Sequence, residues 1–225
     1  AGADLTTKVT SLNQNNMIKA EVNVTGTVKR NTGIRTDRNN NPYLSLIMTV
    51  CLPDAKQTNH SIDVFVSLPN AHQEDVATYT EGMRITISGS MDIRKKGEEL
   101  QFYLTGNLIS TENVADLDAI GGTMTFRGHL KKENVYEEKS DKNGHPFIVF
   151  SAYSAEKVGE TFVSTWVNFM RFPEKDADIS TIIPDWMRSK AHVDITGDLQ
   201  VSSFGGVVRL SCRVKDMQEH VYVQH

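Results

Sequence analysis

The sequence is poor in the features that mark secreted, membrane-spanning and metal-binding proteins. Cys51 and Cys212 are its two cysteines, too few for the disulfide framework of a small secreted domain. Both occupy apolar positions of predicted strands and are expected as reduced core thiols. No apolar run approaches the roughly 20 residues that cross a bilayer as a helix. The chain opens on the polar stretch AGADLTTKVTSLNQNN, which has no secretory pattern, so a soluble, cytoplasmic protein with no membrane partner is expected. The seven His residues are scattered, with no Cys or His pair at zinc-ligand spacing and no His-Glu-x-x-His; the expectation is no metal and no cofactor. A Gly-Lys-Ser/Thr phosphate loop, a Gly-x-Ser-x-Gly elbow and recurring carboxylate pairs are missing too, so no enzyme is expected.

A strong charge of either sign is also lacking. Lys and Arg number 24 against 28 Asp and Glu, for a net charge of −4, so any nucleic-acid binding must rest on local patches. Such patches exist. Lys29, Arg30, Arg35 and Arg38 fall in one short stretch against Asp37 alone, and Arg94, Lys95 and Lys96 in another. The 225 residues suit one large β domain or two small ones.

Repetition decides between them. VNVTGTVKR around Gly26 has a counterpart in MTFRGHLKK around Gly128, and NNPYLSLIMTV from Asn40 in GHPFIVFSAYS from Gly144. IDVFVSLP ending at Pro69 matches WVNFMRFP ending at Pro173, MRITISGSMDI matches HVDITGDLQV, and LQFYLTGNL matches VRLSCRVKD. Five matched segments in one order mean duplication. Each reads as a strand because apolar and polar residues alternate, the period of a strand with one buried face. Met83, Ile85, Ile87, Met91 and Ile93 thus alternate with Arg84, Thr86, Ser88, Ser90 and Asp92. Between the third and fourth strands of each copy, helix-compatible residues follow a Pro, which predicts one short helix per repeat.

Three strands, a helix and two strands is the order of the OB fold, a five-stranded, partly open Greek-key barrel. The expectation is an all-β chain of two tandem OB barrels, over 18–109 and 123–217, joined by a linker over 110–122. Val114, Leu117 and Ile120 in the linker stand at helical spacing and suggest that it docks. Gly26, Gly89, Gly128 and Gly197 lie inside strands, where glycine marks a sharp bend or close backbone approach.

The second repeat resembles the bacterial and phage single-stranded DNA-binding proteins. The resemblance is carried by Thr165, Trp166 and Phe172 on the third strand and Val193, Ile195, Gly197 and Leu199 on the fourth. The first repeat places Ile62 and Leu68 where the family has aromatic side chains. The family's acidic tail with a hydrophobic tip is absent from the ending MQEHVYVQH, which implies a phage, plasmid or divergent member. Family members bring four OB barrels together, so the resemblance implies a homodimer; replication or recombination partners are not specified by the sequence.

Binding single strands without sequence preference requires aromatic faces for the bases and a basic groove for the phosphates. Strand parity turns Tyr43, Phe147 and Tyr153 outward, and Trp166 and Phe172 belong to the neighbouring strand. Phe65 and Tyr103 are second-rank candidates, because a bulge in strand three would flip their face; Phe169 is open in the same way. Phe102, Phe126, Phe150 and Phe162 read as core. Lys29, Arg30, Arg35, Arg38, Lys131, Lys132 and Lys142 are assigned to the loop between strands one and two, and Arg94, Lys95 and Lys96 to that between four and five. These loops close over oligonucleotides in OB domains. The function expected is binding and protection of single-stranded DNA, or alternatively RNA, in replication, recombination or repair. The competing reading is an OB pair that binds protein or sugar within a larger assembly.

Overall fold

The computed structural model describes residues 17–56 and 59–221, and their regular structure is almost wholly strand. In the first repeat β1 (Met17–Thr36), β2 (Pro42–Pro53), β3 (Asn59–Pro69), β4 (Arg84–Lys96) and β5 (Glu99–Ser110) follow in order. Strand β1 pairs antiparallel with both β2 and β4, β2 with β3, and β4 with β5. A parallel pairing of β3 with β5 closes the ring. This circuit is the OB topology.

The second repeat retraces it. Here β6 (Ala119–Leu130), β8 (Pro146–Val158), β9 (Thr161–Arg171), β10 (His192–Phe204) and β11 (Val207–Glu219) stand for the five strands. Strand β6 neighbours β8 and β10, β11 lies between β10 and β9, and β8 pairs with β9. The short β7 (Glu137–Ser140) adds an edge strand on β8. The chain divides into two compact units: Lys19–Met124 with Asp198–Cys212, and Thr125–Gly197 with the end of β11 from Arg213.

Alternation fills each interior. Leu44, Leu46, Met48 and Val50 of β2 meet Val64 and Val66 of β3, Ile85, Ile87 and Met91 of β4, and Phe102 and Leu104 of β5. In the second barrel Phe169 packs edge-on to Phe126 and face-on to Phe150, both at 5.1 Å between ring centres. Fully burying such an aromatic side chain stabilises by roughly 1.5–3 kcal/mol.

The duplication extends to single atoms. A Cβ on Gly26 would strike the Thr49 carbonyl, and one on Gly128 the Tyr153 carbonyl; Thr49 and Tyr153 are matching positions of the second strands. Only glycine lets the backbones approach this closely where a small barrel bends. The hairpin turns match as well. Asp37 accepts the Asn39 and Asn41 N–H groups, and Asp141 those of Asn143 and His145. These donors hold both carboxyls below the usual carboxylate range.

Several expectations change. The short helix of each repeat is a single 3₁₀ turn, Gln73–Ala77 or Ile179–Ile182; Pro184 stops the second and Asp178 caps it through Ser180 N–H. The linker segment forms no helix, and Leu117 is exposed. Ile120 is buried as the first inward residue of β6, and the segment is also held by Asp118, which accepts from Arg84 at 2.6 Å and from Cys51 N–H. Cys212 is buried and its thiol pushed up to about 12, first by burial and then by Asp198. Cys51 lies on the outward side of β2 and is half-buried rather than core, because Val50 and Leu52 take the inward positions.

Candidate nucleic-acid interface

The outward residues of β2, β3 and β5 form one face of the first barrel. Phe65 stands in register with Tyr103 and stacks on it, 5.6 Å between ring centres and 26° between planes. Tyr103 is 41% exposed. Ile47 lies across from Phe65 on β2, and Arg30 across from Ile47 on β1. Tyr43, half-buried, faces Arg35. The second-rank pair is therefore the most complete aromatic feature of this barrel.

The basic residues sit differently from expectation. Strand β1 continues to Thr36, because it stays paired with β2 through two register shifts. Lys29, Arg30 and Arg35 are thus strand residues, and only Arg38 lies in the turn. Likewise Arg94, Lys95 and Lys96 end β4, with Arg94 opposite Gln101 and Lys96 opposite Glu99. Lys29 is bound to Asp63 at 3.0 Å and Lys95 to Glu98 at 4.0 Å, which spends part of the patch. Lys131 and Lys132 do lie in a loop, after β6, and Lys142 in the turn that Asp141 closes.

The outward face of the second barrel carries a row of rings. His192 on β10 stacks on His129 of β6 at 4.3 Å and 5°, and His129 stacks on Tyr153 of β8 at 5.7 Å. Tyr153 meets Trp166 of β9 at 5.0 Å, tilted by 51°. Trp166 ends the row 47% exposed. Burial holds His129 below the usual histidine range and, with His129 and His220 nearby, pushes His192 down to about 4. Both rings are then neutral at neutral pH, which permits face-to-face stacking. Beneath them Asp194 accepts from Arg127 at 2.6 Å and pairs with His220 at 2.8 Å. Burial works against its charge, but these partners keep the carboxyl below its usual range.

Phe147 departs from expectation. It is 9% exposed, set against Phe172 at 4.6 Å and 19° and paired with Lys139 of β7. The added edge strand and Phe172 cover the ring that parity alone turned outward. Phe172 in turn carries Arg213, whose guanidinium lies 4.4 Å from the ring centre. Phe162, expected in the core, is 70% exposed, and Phe169, left open, is buried.

A one-residue slip explains the third strands. Aligning Pro69 with Pro173 equates Trp166 with Ile62 and Phe169 with Phe65. In the sheet, however, Tyr153 faces Trp166 whereas its match Thr49 faces Asp63. Trp166 therefore corresponds to Asp63, an outward position, and a shift of one residue exchanges the faces of a strand.

Sequence reasoning missed Arg213 and Lys215, outward and exposed on β11. Their signal was present: Leu210, Cys212 and Val214 are buried and alternate with Arg209, Ser211, Arg213 and Lys215. These cations alternate along a strand rather than clustering in a loop. His129 and His192 gave no signal, since the partners stand 63 positions apart in sequence and only the sheet brings them together. Among the described residues no cluster of His, Cys, Asp and Glu has the makings of a metal site, and no helix is long and apolar enough to cross a membrane.

No family model matches the sequence, and no curated protein matches it. Solved structures similar to it include the single-stranded DNA-binding protein of Thermus aquaticus. The wild-type form is 11% identical, with a TM-score of 0.45 over 94% of this chain and 96% of that one. A deletion mutant of it is 13% identical, with a TM-score of 0.43 over 94% and 98%. The mitochondrial single-stranded DNA-binding protein Rim1 of S. cerevisiae is 22% identical, with a TM-score of 0.33 over 43% of this chain and 91% of its own.

Proposed function

We propose that this protein binds single-stranded DNA, largely without sequence preference, on the outward faces of its two barrels. Bases stack on Tyr153 and Trp166 in the second barrel and on Phe65 and Tyr103 in the first. The observation that carries the reading is the Tyr153–Trp166 pair, a half-exposed indole held against a second ring on a strand face. An exposed indole does little for folding, whereas base stacking on an aromatic ring is worth about 1–3 kcal/mol per base. It is also indifferent to sequence, because every base has a π face.

Phosphates are met by outward cations of the same barrels: Arg213, which lies on the Phe172 ring, with Lys215 two residues on, in the second, and Arg30 and Arg35 in the first. Arg38, Arg94, Lys96, Lys131 and Lys132 extend the positive field toward the hairpin ends. Local placement reconciles binding with a net charge of −4, since phosphate pairing depends on nearby charge over about 10 Å at ordinary salt. Stacking and ion pairing need no reactive group, so the protein acts by binding and protection and not as an enzyme. Such a protein serves replication, recombination or repair, and two barrels per chain make a homodimer the arrangement that assembles four.

The test is titration with poly(dT), poly(rU) and duplex DNA at two salt concentrations, following tryptophan fluorescence. Quenching by poly(dT), weakened steeply by salt, is expected, with poly(rU) reporting the DNA preference. Absence of binding to either single strand at low salt would end this reading.

A further inference from the structure

The outward line of β9 continues past Trp166. Ser164 and Phe162 follow at alternate positions, in register with Ala155 and Lys157 of β8, just as Trp166 is in register with Tyr153. Phe162 is 70% exposed and neighbouring Val158 50%. A phenyl ring left this far in water gains nothing for the fold through burial. Four strand residues span about 13 Å. That is about two nucleotides of a stretched single strand, whose bases stand up to roughly twice the stacked spacing of 3.4 Å apart. Between the two ring positions lies the small pair Ala155 and Ser164. Glu156 faces the other side of β8, and Glu160 sits in the turn beyond.

We propose that Phe162 is a further base-stacking position, with Lys157 beside it meeting the phosphate backbone. The bound strand then runs along β9 from Trp166 toward the end of the β8–β9 hairpin. This rests on the single-strand reading above and names a contact that reading does not require.

The experiment is an affinity series with labelled dT oligonucleotides of increasing length at fixed salt, for the wild type, Trp166→Ala, Phe162→Ala, Phe162→Leu and Phe162→Tyr. Oligonucleotides too short to reach from Trp166 to Phe162 should bind Phe162→Ala as they bind the wild type. Longer ones should bind it about 5- to 150-fold more weakly. Phe162→Tyr should restore the step and Phe162→Leu should not, which separates stacking from apolarity.

Equal affinity of Phe162→Ala and the wild type at every length would overturn the proposal. So would full binding by Phe162→Leu, or a uniform loss accompanied by a smaller species in sedimentation, which would assign Phe162 to self-association. A wild type that binds no single strand removes the functional reading as well. A weakened Trp166→Ala beside an unchanged Phe162→Ala removes this proposal alone.

Discussion

At the outward position of the third strand the first barrel has Asp63, tied to Lys29 at 3.0 Å, and the second has Trp166, set against Tyr153 at 5.0 Å. One copy neutralises a cation where the other offers a ring. The same two barrels keep their hairpin turns and their strand glycines alike, with Asp37 matching Asp141 and Gly26 matching Gly128. What the barrel needs has stayed; the outward side chains, which the barrel does not need, have diverged. A fold of this kind leaves its faces free to carry function.

The sharpest way to break the comparison is at the third strands. Phe169→Ala should cost about 3–5 kcal/mol of folding stability, since it empties the contact with Phe126 and Phe150. Phe65→Ala, its match when the prolines are aligned, should cost under about 1 kcal/mol as an outward residue and show its effect in DNA binding. Denaturant unfolding of the two variants measures both. Equal costs would return the strands to the same register.

The next effect is confined to the second barrel, because its ring row has no counterpart in the first. His192 is pushed from 6.5 down to about 4, so the folded state prefers the neutral ring. The sign follows. Its contribution is complete above about pH 6.5, diminishes as protons bind the unfolded chain more readily, and is gone once pH falls through about 4. The denaturation midpoint should drop across that window, and less so in His192→Phe. Of the groups around the ring, His129, His220 and Arg127 oppose its protonation and Asp194 favours it.

A smaller effect separates working cations from spent ones. Arg213→Gln should lower the salt slope of single-strand binding by about 0.7–1. Lys29→Gln should leave it nearly unchanged, because Asp63 already balances that charge. Titration over a range of salt concentrations reads both.

Much of this was legible beforehand, and the exceptions have physical causes. Alternation exposed ten strands and their order, since burying one face of a strand writes itself into every second residue. The slip in the third strand was invisible because Pro69 and Pro173 offered a false anchor and alternation survives a shift of one. Phe147 was read as outward from correct parity, but the four residues Glu137–Ser140 that cover its edge are too short and too charged to announce a strand. His129, Tyr153 and Trp166 lie far apart along the chain, and pairing alone makes them a row.

The most direct test is ultraviolet cross-linking of the wild-type protein to poly(dT), followed by mapping of the linked peptides. Links at Tyr153–Trp166, and at Phe65 or Tyr103 in the first barrel, are predicted. Links confined to other surfaces, with these peptides unmodified, would contradict the account.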